Sequence, residues 1–503
     1  MNEQAPILII VIPLIFAFIN PLIGRIKKEL CFYWAVFGLM LSSFFSITTL
    51  VEILNNGVVR YRLGNWSPPW GIEYVLDHFN GVMLVIISFI SLITAIYAKS
   101  SIEREAPGKT VYFYTVYLLQ VVGFLGITGT GDMFNLYVFL EIASLSGYAL
   151  IAIGEDGAPL ASFRYIIMGT IGACFYLIGV GYIYIMTGSL NMGDLSKLLP
   201  AVMGTNAMLV GFAFLIVGIC LKMGLFPLHL WLSDAYTHAP SSVSSLLAPL
   251  FTKISAAVII RVMFKIFSPS FSIDVYPVTE ILGWVASIGV IYAGIMALAQ
   301  KDLKRMLCYL IIAEIGYIAI GIASSNRMGL TGSILHIFND VFMMACLFTV
   351  VGAVYYQTGK RSLDGLFQMH RKMPVTLIVL LVGALSVVGV PPFCGFFSKW
   401  YFIIGLIQAG KWVFLIAMLA SSLINAILFF RIIERAFVEP REEEEEGHAV
   451  QHGDHEDGYF LDKIPVTMMV PMVITAIGII LLGFFSNTIV NNVILPFIPS
   501  SFL

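Results

Sequence analysis

Residues 217–249 read VGICLKMGLFPLHLWLSDAYTHAPSSVSSLLAP, and the rest of the chain is organised around them. Lys222, Pro227, His229 and His238 fall in or beside apolar stretches long enough to cross a bilayer. A lysine in hydrocarbon costs roughly 2.5 to 3.5 kcal/mol on insertion scales, so such a residue faces a bundle interior or a water path. Pro227 removes a backbone donor and clashes with the preceding turn. The carbonyls it frees need partners that lipid cannot provide. A charge beside a broken helix points to ion translocation.

Composition places that stretch in a membrane. The 503 residues are 59% hydrophobic and only 12% charged, with a mean hydropathy of +0.92. A soluble globular chain carries about twice that charge. The fold class expected is an all-α polytopic membrane protein, with apolar runs dividing into about fourteen segments near the length a span needs. The first run, near residues 5–23, has no basic stretch before it and reads as a span rather than a removed leader. Lys and Arg gather after the first, third, ninth and eleventh segments: Arg25, Lys27 and Lys28; Lys99, Arg104 and Lys109; Lys301, Lys304 and Arg305; Lys360, Arg361, Arg371 and Lys372. Those ends are expected in the cytoplasm and both termini outside, with Arg60 and Arg62 the main exception.

The chain gives no sign of holding a redox centre or hydrolysing ATP. The six cysteines stand singly in apolar segments without metal-ligand or redox spacing, and no P-loop or nucleophile elbow occurs. No cofactor, bound metal or nucleic-acid partner is expected. Uphill ion movement would draw on another gradient or on a partner subunit.

The remaining intramembrane charges follow in chain order. Asp132 opens the segment GDMFNLYVFLEIASLSGYALIAI, and Glu141 sits about 13 Å further in, near mid-depth. A buried neutral glutamate used for packing is the alternative. Lys222 lies too deep for easy snorkelling. Asp234 and His238 fall in the short connection to the next helix, where capping explains them as well as transport does. Lys253 follows Pro249 by four residues, while Arg261 and Lys265 read as interface anchors near the segment's end. His336 and Asp340 are four apart on one helix face, which fits a helical ion pair or a relay. In LSVVGVPPFCGFFSKWY, Pro391 and Pro392 break the helix before Lys399. Left uncompensated, Glu141, Lys222, Lys253 and Lys399 would cost on the order of 10 kcal/mol together, comparable to the stability of a whole domain. Two separated segments each pair a helix-breaking proline with a lysine, as expected of a repeat with a conduction path at its interface. SGYALIAI at 146–153 is echoed by IGYIAIGI at 315–322.

The combination GLFPLHLWLSDAYTHAPSSVSSLLA, QKDLKRMLCYLIIAEIGY, HIFND and VGVPPFCGFFSKW resembles the antiporter-like subunits shared by Mrp-type Na+/H+ antiporters, respiratory complex I and membrane-bound hydrogenases, from about Tyr112 to Glu434. The resemblance implies fourteen helices, with two inverted five-helix repeats (helices 4–8 and 9–13) and discontinuous helices 7 and 12. Residues 1–110 would then hold three leading helices, 111–270 and 271–437 the repeats, and 438–503 an acidic loop and a final helix. It implies a midplane proton path through Glu141, Lys222, His229, Lys253, His336 and Lys399, with Asp234, His238, Glu314 and Asp340 as accessories. Where relatives read His-Ala-x-x-Lys after the helix 11 histidine, this chain has Asp340, Val341 and Met344, and Glu314 is an added acid. Length and Lys399 favour similarity to D-type Mrp subunits. The expected setting is the plasma membrane of a prokaryote, among other membrane subunits, exchanging protons for a monovalent cation such as Na+. The pumping arm of a redox enzyme is the alternative, and a stand-alone solute transporter is a third class. The run PREEEEEGHAVQHGDHEDGYF, with His448, His452 and His455, reads as a solvated charged loop; a weak cation-gathering role for 442–457 is the alternative.

Overall fold

The computed structural model describes residues 4–154, 156–437 and 462–499; the acidic run at 442–457 lies outside the described residues. Sixteen helices carry the fold. They are α1 (Ala5–Ile26), α2 (Leu30–Asn56), α3 (His78–Glu105), α4 (Thr110–Gly129), α5 (Met133–Ala152), α6 (Ala158–Thr187), α7 (Asn206–Met223), α8 (Leu230–His238), α9 (Ser241–Arg261), α10 (Val278–Ala299), α11 (Leu303–Ala323), α12 (Arg327–Thr358), α13 (Pro374–Val388), α14 (Cys394–Gln408), α15 (Trp412–Phe437) and α16 (Val466–Phe484). Thirteen helices among the described residues are long and apolar enough to cross a membrane. The 15-residue α13 and α14 are each too short, at about 22 Å, and together make one further crossing. The chain is a polytopic helical membrane protein, with α7–α8 and α13–α14 as its two interrupted spans.

Local chemistry sets the helix ends. Asp77, Asp132, Asp302 and Asn326 each accept a hydrogen bond from the backbone N–H three residues on, closing the first turns of α3, α5, α11 and α12. Both interruptions are made by glycine. Gly224 (φ 72°) and Gly389 (φ 93°) adopt the left-handed conformation that favours a residue without Cβ. Behind them, Leu225 N–H donates to Cys220 O at 3.1 Å and Val390 N–H to Leu385 O at 2.9 Å, the six-to-one bond of a Schellman ending. Pro227, Pro391 and Pro392, expected to make the breaks, instead lie in the linkers, where they keep the helix from continuing after glycine has ended it.

The helix α9 is buried along its whole length, and α11 and α12 are buried over their central spans, while α1, α2 and α6 expose apolar flanks. α12 is the hub, packing against α9, α11, α13, α14 and α16. A charged residue on any of the three inner helices therefore meets other helices rather than lipid.

The stretch between α2 and α3 forms an antiparallel hairpin of β1 (Val59–Arg62) and β2 (Glu73–Leu76). Arg60 lies 3.1 Å from the buried Glu73, so the hairpin itself neutralises one of its two exceptional arginines. Arg261 also departs from expectation. Instead of anchoring at an interface, it is buried and donates to the carbonyls of Ile127, Thr128 and Thr130, capping the end of α4. A guanidinium's five donors suit it to several orphan carbonyls at once.

Candidate functional site

The acids and bases singled out by sequence come together as pairs held on different helices. In the first, Lys222 of α7 lies 3.6 Å from Glu141 of α5 and donates to Ser144 Oγ, one turn along α5, at 2.7 Å. Lys222 is 2% exposed, whereas Glu141 is 25% exposed on the outer flank of α5. Just before Lys222, the Leu221 carbonyl, which also accepts from Gly224 N–H at 3.2 Å, accepts a hydrogen bond from Trp231 Nε1 at 3.0 Å, which ties α8 back to α7.

The second pair is Lys253 of α9 and Asp340 of α12, 2.6 Å apart and both fully buried. The third is His336 of α12 and Glu314 of α11, with Nε2 and Oε2 3.0 Å apart, again fully buried. His336 Nδ1 meets Ser398 Oγ of α14 at 2.9 Å. His336 and Asp340 share a face of α12, but each takes its partner from another helix, so the helical ion pair considered for them is not what holds them. Lys253 and Lys222 are compensated too, and of the four charges feared uncompensated only Lys399 is without an opposite charge. Asp340 fills the place left open by the departure from the related motif, because it supplies the counter-charge that Lys253 needs.

Lys399 of α14 has no carboxylate partner among the described residues. Its Nζ donates to Val387 O at 2.7 Å, Val388 O at 3.3 Å and Ser422 Oγ of α15 at 2.9 Å. A cation at a helix C-terminus is favoured by the partial negative charge of the last carbonyls, so Lys399 serves as the cap of α13. It also lies 5.0 Å above the Tyr317 ring. Desolvation of these charges is met locally by a pair or by carbonyls, as buried charges require.

The other expected residues are placed differently. His229 is buried between the rings of Phe226 and Tyr292, and neither ring nitrogen has a protein partner. No protein hydrogen bond through it joins the Lys222 pair to the Lys253 pair. A small cavity is lined by Lys222, Tyr176 and Ser255, the last on α9, the helix that carries Lys253. Asp234 and His238 lie within α8 rather than in a connection, because the hydrogen-bond ladder resumes at Leu230. Asp234 there bridges Arg164 at 2.9 Å and Arg305 at 3.2 Å, an arrangement for tying helix ends together. His238 Nδ1 meets the Asp234 carbonyl at 2.9 Å.

Sequence reasoning missed Ser144, Ser398, Ser422 and Asn425. Asn425 Nδ2 donates to Glu314 Oε1 at 3.4 Å and to Tyr317 OH at 3.3 Å. An asparagine in an apolar span is itself a signal, since polar side chains in membranes bond across helices. Chemically, the assembly can hold protons on imidazole, carboxylate or amine along one buried line from Lys253 to Lys399. If this line carries protons, Glu314→Gln is expected to slow their transport roughly ten- to a hundredfold, matching loss of a hydrogen bond to a charged group; quenching of a pH-sensitive dye in vesicles measures it.

Among known proteins, residues 130–425 match the family described as NADH:quinone oxidoreductase/Mrp antiporter, TM. The chain is 40% identical over 504 residues to the N subunit of the NADH-quinone oxidoreductase of Desulforudis audaxviator, covering 99% of each. It is 30% identical over 407 residues to the D subunit of the Na(+)/H(+) antiporter of Alkalihalophilus pseudofirmus, covering 80% of each. Among solved structures, the membrane-bound sulfane sulfur reductase, an archaeal respiratory membrane complex, holds a chain that superposes with a TM-score of 0.87 at 28% identity, over 98% of this chain and 96% of that one.

Proposed function

Because this chain belongs to the NADH:quinone oxidoreductase/Mrp antiporter membrane family, we propose that it is the proton-translocating subunit of a multisubunit complex that exchanges protons for a monovalent cation, Na+ foremost. One observation carries the reading: three acid–base pairs and a terminal lysine, contributed by α5, α7, α9, α11, α12 and α14, at 2.6 to 3.6 Å within pairs and buried except at Glu141. A charge that arrives on one member of a pair changes the electrostatic cost of its partner's charge, and the second and third pairs are one helical turn apart on α12. Protonation near Glu141 and Lys222 alters that pairing and passes charge by way of His229, Lys253 and His336 toward Lys399. Water in the interrupted spans and at His229 completes the path, since a buried imidazole without protein partners needs one.

The exposed edge of Glu141 supports a partner. A carboxylate near mid-depth on a lipid-facing flank is costly unless another subunit covers it. The setting we propose is a prokaryotic plasma membrane with both termini outside, following the distribution of Lys and Arg.

A second reading is favoured by one observation, the 40% identity over 99% of the length to a quinone oxidoreductase subunit. There the same line of charges would be driven by electron transfer on other subunits. Tagging the chain, extracting it gently from its native membrane and identifying its companions by mass spectrometry separates the two. Small hydrophobic subunits with Na+/H+ exchange in vesicles support the antiporter; iron–sulfur or nickel–iron subunits, with transport that depends on a redox substrate, support the pump.

A further inference from the structure

The acid Glu314 is held from two sides. Its Oε2 faces His336 at 3.0 Å, and its Oε1 accepts from Asn425 Nδ2 at 3.4 Å. Asn425 sits on α15 and is fully buried. The same amide nitrogen reaches Tyr317 OH at 3.3 Å, and that hydroxyl donates to Ser421 Oγ at 2.8 Å. Tyr317 is one turn from Glu314 on α11 and carries Lys399 over its ring. Through Asn425, α15 thus touches both the last acid–base pair and the platform of the terminal lysine. Its own carbonyl oxygen, Oδ1, has no protein partner.

An amide suits that position better than any charged or apolar side chain. Its N–H donates to a carboxylate, and its C=O can accept from a carboxylic acid after a half-turn of the same side chain. An aspartate would repel the ionised acid, and a leucine would leave Glu314 and Tyr317 short of a partner in a dry interior. Resting on the proton-path reading above, we propose that Asn425 is a positioning residue that keeps Glu314 oriented between His336 and the Tyr317–Lys399 platform, whether the acid carries a proton or not. Hydrogen bonding to either protonation state removes the need for α11 and α15 to move when Glu314 is loaded. The proton gained from His336 is then presented toward Lys399 rather than returned.

The test is a mutant cycle in the intact complex, with proton transport and subunit assembly measured together. Asn425→Leu is expected to slow transport about tenfold, the equivalent of one buried hydrogen bond, with assembly unchanged. In the Glu314→Gln background, Asn425→Leu is expected to change transport less than about twofold, because it acts through the acid already removed. Should Asn425→Leu fail to assemble, Tyr317→Phe takes its place in the cycle: it keeps the ring under Lys399 while deleting the hydroxyl that Asn425 binds. Multiplicative losses in the double variant, or wild-type transport in the single one, overturn the proposal. Lys222→Ala run in parallel separates the two levels of inference. If it leaves transport intact, the proton-path reading fails; if it abolishes transport while Asn425→Leu is silent, only the role of Asn425 fails.

Discussion

Lys222→Ala and Glu141→Gln are each expected to abolish the proposed cation/proton exchange while the complex continues to assemble. Lys222 is the base that reaches the partly exposed Glu141, with a second bond to Ser144. Removal of either partner leaves the other as a lone charge next to the break in α7–α8. It also ends the differential electrostatics by which a proton on one group is felt by the other. General acid–base groups contribute about a hundred- to ten-thousandfold when they carry the proton themselves. Exchange below detection in inverted vesicles is therefore the expected result, and wild-type exchange in either variant would sink the scheme. Ser144→Ala, which leaves the ion pair in place, is expected to cost much less.

The second large effect concerns Lys253 and Asp340, which are fully buried at 2.6 Å. Lys253→Met strands a carboxylate in the most protected part of the bundle, and Asp340→Leu strands an ammonium. Breaking a buried pair on one side costs about 3–5 kcal/mol, whereas replacing both partners by apolar residues is often neutral. Each single variant should accordingly lower the unfolding midpoint in detergent by several degrees, and the double variant Lys253→Met/Asp340→Leu should recover most of it. Transport should not recover in the double variant, since the line of ionisable groups is cut there. That separation of stability from transport is the informative outcome: recovery of both would make the pair structural, and recovery of neither would mean that the site tolerates no apolar pair.

Spans, interruptions and unusual charges are local properties, which is why so much of this architecture is readable in residue order. Hydropathy over about twenty residues marks a crossing, and Lys222, Lys253 and Lys399 stand out because nothing near them in sequence justifies a charge. The interrupted spans are legible for the same reason, although the prolines draw attention from the glycines that actually end α7 and α13. The hairpin between α2 and α3 escapes such a reading because its strands, Val59–Arg62 and Glu73–Leu76, are too short to show a period.

Pairing is not legible, because it depends on how each helix is rotated toward its neighbours. His336 and Asp340 are a turn apart, close enough to face one another along α12; only the packing of α12 against both α11 and α9 sends one to Glu314 and the other to Lys253. Arg261 has the position of an interfacial anchor until the end of α4 is found lying against it. Lys399 has the look of an uncompensated charge, and the fold makes it the cap of the half-helix before it. A polytopic helical membrane protein with two broken spans and a set of intramembrane acids and bases thus follows from residue order alone, because hydrophobicity and the cost of a buried charge are written residue by residue. Which acid meets which base follows only from the packed bundle, because a charge in a low-dielectric interior is compensated by a neighbour that comes from another helix.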